Sequence, residues 1–301
     1  MGDSTSPSQP PSRTDSPALS SRAGTPKINN SKPKKEIRIL MLHGYTQSGA
    51  LFRAKTRALE KLLAKALAPA GLVPTMVYPT GPNRLSPRDI PGYEARPGTA
   101  SQEGGEDNEI DSWAWFRKDE ANERYRFVEE GMRRLADFMS GEGGQEDGTE
   151  VGDGAAVGGG LIDGVVGFSQ GGCMAGMLTA ALEGCHEPTA KEHEGWVKAV
   201  RDANGGRPLK FAVIYSGFFA TPRDLAWLYE PKIKTPTLHF LGSLDTVVDE
   251  SRSQGLVDRC EDPVVLTHPG GHYVPVSKEW AMPLAGFIKK CVEGVDAQTR
   301  L

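Results

Sequence analysis

The alternation of continuous apolar runs with segments of helical periodicity constrains the fold of this chain more than any other feature. Six runs predict strands: EIRILMLHG (36–44), LVPTMVYP (72–79), LIDGVVGF (161–168), LKFAVIYSG (209–217), TPTLHFLG (235–242) and DPVVLTHP (262–269). Helices are predicted between and after them, at about 58–67, 122–139, 170–183 and 277–291. Because the runs are apolar throughout, these strands are expected to be buried on both faces. The sequence therefore predicts a single α/β domain, with a mostly parallel sheet and helices on both faces.

Composition excludes several classes of protein. The 301 residues are 38% apolar, which is enough for a substantial core, and 35 basic against 39 acidic residues give a net charge of −4. This balance produces no strong field, so neither nucleic acid nor an anionic membrane surface is expected as a partner. No run of 18 apolar residues occurs, so no membrane span is predicted.

The four cysteines bear on compartment and metal binding. They are widely spaced and form no CxxC or CxxH pair. No metal site is predicted from them, and we expect the reduced thiols of an intracellular protein. The expected location is the cytoplasm, with the nucleus as a second candidate, and the oligomeric state stays open.

Three polar stretches lie before or within the predicted domain, which spans 35–295. Residues 1–34 are rich in Ser, Pro and Thr and are predicted to be a disordered tail. Residues of about 84–111 are rich in Pro, Gly and acids, and about 141–160 are nearly half glycine. Both are predicted to be flexible insertions, and the sequence leaves open whether 84–111 forms a lid.

A candidate nucleophile lies in the stretch GVVGFSQGG (164–172), where Ser169 stands in a GxSxG pattern. The pattern follows a predicted strand and precedes a helix of small residues, which is the context that gives it meaning. Glycines two residues before and two after the serine are needed because the chain comes too close to itself in this turn. The alternative is a Gly-Ser turn that merely connects strand and helix.

A serine nucleophile needs a base and an acid that orients the base, both on loops at the carboxyl ends of later strands. Asp245 follows the strand that ends at Gly242, and His272 follows the strand that ends near His268. The order Ser169, Asp245, His272 is typical of α/β-hydrolases. Asp249 is the weaker candidate acid because it is placed to cap the next helix, and His268 is the weaker candidate base because the strand would fix its ring.

Two backbone amides are predicted to form an oxyanion hole. One is the amide of Gln170 at the start of the helix after the serine, and the other is the amide of Tyr45 in the turn LHGYTQSG. His43 is expected to brace that turn by hydrogen bonding. The alternative is that residues 43–46 form a strand-to-helix turn without this role.

With these residues in place, the chain resembles the family of serine hydrolases abbreviated FSH, α/β-hydrolases that include fungal enzymes and the ovarian-cancer-associated esterases of animals. The resemblance spans roughly 36–291 and rests on ILMLHGYTQSG, AWF, DGVVGFSQGG, YSGF, LGSLDTVV and HPGGHYVP, in that order. It implies catalytic roles for Ser169, Asp245 and His272 without a metal or organic cofactor. It also implies hydrolysis of carboxylic esters, often of acyl chains, and in some biosynthetic members of thioesters that release a polyketide.

The expected partner is therefore a small-molecule acyl ester or thioester. Trp113, Phe218 and Phe219 are candidate walls of an apolar acyl pocket, with burial in the core as the alternative, which applies equally to Trp115. Two rival functions stay open: transfer of the acyl group to an alcohol or amine, and a hydrolase fold that binds a ligand without catalysis.

Overall fold

The computed structural model describes residues 33–90, 111–142 and 159–298, with side chains described to residue 294. Residues 1–32 of the predicted tail and most of the two predicted insertions lie outside these residues. The described residues belong to one domain, as the sequence predicts.

Six parallel strands form the main sheet, in the order β10-β9-β8-β7-β1-β2. Their bounds are β1 Lys35–Leu42, β2 Leu72–Val77, β7 Gly164–Phe168, β8 Phe211–Tyr215, β9 Thr237–Gly242 and β10 Val264–His268. All six coincide with the predicted apolar runs. Two small antiparallel pairs lie outside this sheet, and they are formed by β3 Asn83–Arg84 with β4 Trp113–Ala114 and by β5 Arg117–Asp119 with β6 Arg124–Arg126.

Six α-helices cover the two faces of the sheet in the described part of the chain. They are α1 Gly49–Leu67, α2 Val128–Ser140, α3 Gln170–Glu183, α4 Lys191–Ala203, α5 Glu250–Val257 and α6 Lys278–Gln298. One apolar core contains residues of α1 and α6, and the other contains residues of α2, α3, α4 and α5. This arrangement confirms the predicted α/β-hydrolase type of fold, with helices on both faces. Within the same residues, no helix is both long enough and apolar enough to cross a bilayer.

The helix predictions were wrong at two places. The helix predicted at 122–139 begins at Val128, because Arg124–Arg126 pairs with Arg117–Asp119 as a hairpin. Helix α4 was not predicted, although His193, Trp196, Val197 and Val200 form a buried stripe at helical spacing.

The register of the sheet positions the loops that matter for function. Leu42 of β1 pairs with Gly167 of β7, Phe168 of β7 pairs with Tyr215 of β8, and Gly242 of β9 pairs with His268 of β10. The carboxyl ends of these strands therefore meet along one edge. Helix α3 begins at this edge and is buried from its first residue through Leu182, which explains why it is made of small and apolar side chains.

Candidate active site

Ser169 lies in a strained turn between β7 and α3. Its backbone angles are φ 54° and ψ −115°, a left-handed conformation that is rare for a residue with a side chain. The turn is held by the Ser169 amide, which donates to the carbonyl of Tyr215 at 2.9 Å. The hydroxyl is thereby presented at the edge of the sheet.

The glycines on either side of Ser169 are required by close contacts between backbones. A Cβ on Gly167 would lie 2.2 Å from the carbonyl oxygen of Gly171. A Cβ on Gly171 would lie 2.2 Å from the carbonyl oxygen of Leu42 and 2.5 Å from that of His43. A Cβ at either position would force the backbone itself to shift, so this turn needs glycine at both positions, which gives the GxSxG pattern its physical meaning.

The structure brings Ser169, His272 and Asp245 together as a chain of hydrogen bonds. Nε2 of His272 lies 2.9 Å from Oγ of Ser169, and Nδ1 of His272 lies 2.7 Å from Oδ2 of Asp245. Because a carboxylate accepts, Nδ1 carries the proton of a neutral ring and Nε2 is free to accept from the hydroxyl. This is the tautomer that removes a proton from a serine.

Asp245 is held as an ionised acid. Its Oδ1 accepts from the amides of Val247 and Val248, both at 2.9 Å. Burial raises the pKa of this carboxyl, but hydrogen bonds from His272 and from the Val248 amide outweigh burial, so the pKa lies below its usual range. The carboxylate is therefore charged at neutral pH, where it orients the imidazole.

The Gly-Gly pair before His272 allows the loops after β9 and β10 to pack closely. The amide of Leu244 donates to the carbonyl of Gly270 at 3.0 Å, and a Cβ on Gly242 would meet the carbonyl oxygen of Gly271 at 2.5 Å. Neither Gly270 nor Gly271 has a positive φ, and a Cβ on Gly270 would lie 2.2 Å from the Tyr273 hydroxyl, so close approach rather than left-handed backbone explains Gly270. The ring of His272 also packs on that of Phe168, with 4.8 Å between centroids.

The two weaker candidates from the sequence have other roles. His268 ends β10, is 1% exposed and packs against Tyr273 and Trp280, and neither of its ring nitrogens has a hydrogen-bond partner among the described residues. Burial lowers its pKa, and Asp245 partly opposes this effect. Asp249 is the N-cap of α5, where its side chain accepts from the amide of Arg252 at 3.0 Å.

Tyr45 and Gln170 line the same cleft as Ser169. Gln170 is the first residue of α3, so its amide has no acceptor within the helix. Among the described residues, no acceptor is found for the Tyr45 amide either, whereas the next two amides donate to Trp113 and Gly44. Neither amide is therefore engaged by a backbone acceptor in the described part of the chain.

His43 braces the turn that carries Tyr45, as the sequence predicts. Its Nδ1 donates to the carbonyl of Gly44 at 2.8 Å, and its Nε2 accepts from the amide of Gly81 at 2.9 Å. Burial lowers the pKa of His43 to about 4, so the ring is neutral and keeps both hydrogen bonds. The indole of Trp115 is fully buried and donates to the His43 carbonyl at 2.9 Å, which makes Trp115 a core residue.

Sequence reasoning missed the role of the Gln170 side chain. Its Oε1 accepts from the amide of Trp115 at 2.8 Å, and its Nε2 donates to the carbonyl of Phe116 at 2.7 Å. The side chain thus joins the start of α3 to the segment before β5. The adjacency of Ser169 and Gln170 was visible in the sequence, but the partners 54 and 55 residues away were not.

A cleft of about 740 Å³ opens at Ser169. Its apolar walls include Phe116, Tyr125, Phe218 and Val247, and its rim carries charged residues of the β5–β6 hairpin. Of the three aromatic residues expected to line a pocket, the structure places Phe218 in this cleft.

The structure places the other two aromatic residues elsewhere. The Trp113 indole donates to Asp111 at 2.7 Å and lies near the guanidinium of Arg84. Phe219 lies under the guanidinium of Arg259 at 3.5 Å, beside a separate cavity of about 510 Å³. Phe218 and Phe219 are adjacent in the chain but line different cavities. The sequence alone therefore could not show which of the two lies in the cleft of Ser169.

The sequence matches a known protein family over most of its length. The family described as "Serine hydrolase (FSH1)" matches residues 32–284. The chain belongs to this family. It is therefore an enzyme, a hydrolase of the serine type, and the resemblance noted in the sequence is confirmed.

Several curated proteins are similar to this chain over most of its length. "Family of serine hydrolases 2" of Saccharomyces cerevisiae is 28% identical, with 87% of this chain and 98% of that protein covered. "Esterase OVCA2" of Danio rerio is 30% identical, with 84% and 97% covered. A Schizosaccharomyces pombe protein named "Dihydrofolate reductase" is 31% identical over 80% of this chain, which spans 44% of that longer protein.

Proposed function

We propose that this serine hydrolase cleaves carboxylic esters or thioesters of acyl chains through an acyl-enzyme on Ser169. The observation that carries the proposal is the continuous hydrogen-bonded chain from Ser169 Oγ through His272 to Asp245, at 2.9 and 2.7 Å. Each donor and acceptor in it is already oriented for proton removal from the serine.

The proposed reaction has two steps. Ser169 Oγ attacks the substrate carbonyl while His272 Nε2 takes the hydroxyl proton, and the amides of Tyr45 and Gln170 donate to the resulting oxyanion. The intermediate collapses when His272 gives this proton to the departing alcohol or thiol, which leaves an acyl group on Ser169. A water molecule then loses a proton to His272 and attacks the acyl carbonyl. The second intermediate collapses when His272 returns this proton to Ser169 Oγ, so the bond to the acyl group breaks, the acid is released and the serine is restored.

The cleft supports an acyl chain as the substrate group. Its apolar residues Phe116, Phe218 and Val247 lie in the same cleft as Ser169 and offer a surface for methylene groups. The zebrafish relative is named an esterase, which supports the same reaction class for this chain. The charged rim on the β5–β6 hairpin faces the part of the substrate that stays in water.

Replacement of the nucleophile is the primary test. Ser169→Ala is expected to abolish labelling by a fluorophosphonate probe and to lower hydrolysis of p-nitrophenyl esters by about 10⁴-fold or more, because no acyl-enzyme forms. A series of esters and acyl-thioesters of increasing chain length, measured on the native enzyme, then defines the acyl preference. Undiminished labelling of the variant would refute the proposed nucleophile.

The two neighbouring histidines provide a matched pair for the base. His272→Ala is expected to lose activity to a similar extent, since the serine then has no base, whereas His268→Ala keeps labelling and most turnover. The reverse result would assign the base to His268. Product analysis with an added alcohol or amine separates hydrolysis from acyl transfer, and free acid as the main product is the expected result.

A further inference from the structure

A cluster of three potential metal ligands lies at the end of α3 opposite to Ser169. Sγ of Cys185 is 3.4 Å from Nδ1 of His186 and 3.7 Å from Oε2 of Glu183, and the last two atoms are 3.7 Å apart. The His186 ring is buried, the Glu183 carboxylate is nearly buried, and Cys185 is exposed. Three side chains of different chemistry therefore converge on one small volume that opens to solvent.

The ring of His186 is oriented with a lone pair toward this volume. Its Nε2 lies 2.7 Å from the carbonyl oxygen of Pro231, and a carbonyl oxygen accepts, so Nε2 carries the proton of the neutral ring. Nδ1 is then an acceptor that faces the other two side chains. A backbone carbonyl behind the ring is the outer partner that metal-binding histidines commonly have.

The Glu183 carboxylate is fixed in a similar way. Its Oε1 accepts from the amides of Lys234 and Thr235, at 2.8 and 2.6 Å. This leaves Oε2 directed at Cys185 and His186. With a neutral imidazole, the single protein hydrogen available between Oε2, Nδ1 and Sγ is that of the thiol, so at least one acceptor has no donor from these three side chains.

A divalent cation resolves this shortage of hydrogens. In tetrahedral zinc sites the bonds to nitrogen, oxygen and sulfur are about 2.0–2.3 Å, which puts ligand atoms roughly 3.3–3.6 Å apart. The observed separations of 3.4 to 3.7 Å are close to these edges. We propose that Glu183 Oε2, Cys185 Sγ and His186 Nδ1 bind one zinc ion, with a solvent molecule as the fourth ligand on the exposed side of Cys185.

The charges and ligand types also fit this ion. A thiolate and a carboxylate balance the two positive charges of zinc, and a neutral imidazole completes the protein ligands, while the thiol proton passes to solvent on binding. A thiolate with an imidazole disfavours the hard ions magnesium and calcium, which prefer oxygen ligands.

A second cluster in the described residues makes an informative contrast. Glu192, His193 and Asp224 also converge, but the indole of Trp196 donates to Nδ1 of His193 at 3.1 Å. The proton of the neutral His193 ring must then lie on Nε2, the nitrogen that faces the two carboxylates. This ring has no free lone pair for a metal, so we expect no zinc there.

The proposed zinc ion has a structural position. Helix α3 has 14 residues, so its two ends lie about 20 Å apart, and Ser169 is at the other end. Through Glu183 and His186, the ion fixes the end of α3 to residues 231–235, which lead into β9. It stabilises the fold and takes no part in ester cleavage.

Metal binding to the full chain, freed of metal by a chelator and dialysed, tests the proposal. Titration with zinc should give one ion per chain, and titration with cobalt should give the thiolate-to-metal absorption of a tetrahedral site. Cys185→Ala and Glu183→Gln should each weaken zinc binding by about tenfold or more, since even loss of an outer partner has an effect of about that size. Glu183→Gln keeps an oxygen for the two amides, so it separates metal binding from folding.

Three controls make the outcome unambiguous. His193→Asn should leave zinc binding unchanged because it alters the contrasting cluster, and His272→Ala should leave it unchanged because that ring is not a ligand. Esterase activity of Cys185→Ala should match that of the native enzyme, so failure of the zinc site and failure of the proposed esterase are distinguishable. Absence of zinc binding, or binding that persists undiminished in Cys185→Ala and Glu183→Gln, would overturn the proposal.

Discussion

At the scale of single residues, the site depends on positions where the backbone has no room. Gly167 allows the turn at Ser169 to close on Gly171, and Gly171 allows it to touch the end of β1. Ser169 has a positive φ of 54° in this turn. The nucleophile can therefore take this position because the glycines on either side of it have no Cβ. A short sequence pattern can predict such a feature because the requirement for glycine is absolute at each position.

Gly171→Ala is expected to damage both stability and activity. The new Cβ would lie 2.2 Å from the carbonyl oxygen of Leu42, so the turn that carries the Tyr45 amide must move. The free energy of unfolding should fall by about 1–3 kcal/mol, as for other overpacked sites, and ester turnover should fall with it. Denaturant unfolding and p-nitrophenyl ester assays measure the two effects.

Gly286→Ala is the matched control for this substitution. Gly286 lies within α6, and a Cβ there meets no atom within 4 Å. Alanine should stabilise the helix by about 0.5–1 kcal/mol without any change in turnover. If Gly171→Ala behaved in the same way as Gly286→Ala, the close contact at the nucleophile would not be a constraint.

At the scale of elements, the strands of the main sheet are predictable from the sequence, whereas helix α4 and the β5–β6 hairpin were missed. The six strands of the main sheet are visible because buried strands are continuous apolar runs. The β5–β6 hairpin is polar and short, RKDEANERYR, and it has neither alternation nor helical spacing, so a helix was predicted across its second half. Its pairing, and with it the rim of the cleft, depends on tertiary contacts.

The active site also has some features that the sequence predicts and others that it does not. The roles proposed for Ser169, Asp245 and His272 follow from chain order and from loops after strands, and the structure brings these side chains together. The link from Gln170 to Trp115 and Phe116 has no pattern in the sequence, because it joins two elements across more than 50 residues. Such contacts become visible only when the helix and the loop are placed in space.

Gln170→Glu tests the link between α3 and the wall of the cleft. A carboxylate keeps an acceptor for the Trp115 amide but loses the donor to the Phe116 carbonyl and places two oxygens in repulsive contact. A buried group left without a partner costs about 1–3 kcal/mol, so unfolding at lower denaturant is expected. Because Phe116 lines the cleft, KM for long acyl esters should also rise. A variant with native KM and native stability would show that this link does not position the wall.

At the scale of the whole molecule, the burial of two histidines couples stability to pH. Burial lowers the pKa of both His43 and His239 from 6.5 to about 4. Between these values the unfolded chain binds protons that the folded chain does not bind, so acid favours unfolding. The contribution of each neutral ring to the free energy of unfolding is fully present above pH 6.5. It is lost as the pH falls toward 4. The lowered pKa of Asp245 acts in the same direction at lower pH.

His239→Leu isolates the contribution of one buried histidine to this acid sensitivity. Nε2 of His239 has no hydrogen-bond partner among the described residues, so leucine fills the site without breaking a bond at that atom. Between pH 6.5 and pH 4, the free energy of unfolding of the native enzyme should fall by on the order of 3 kcal/mol for each of the two rings. The variant has only one of these rings, so its free energy of unfolding should fall by on the order of 3 kcal/mol less. Free energies of unfolding in urea, measured at intervals from pH 7 to pH 4, give both curves. Parallel curves would mean that His239 is protonated as easily in the folded protein as in the unfolded chain, and that its burial does not govern the response to acid.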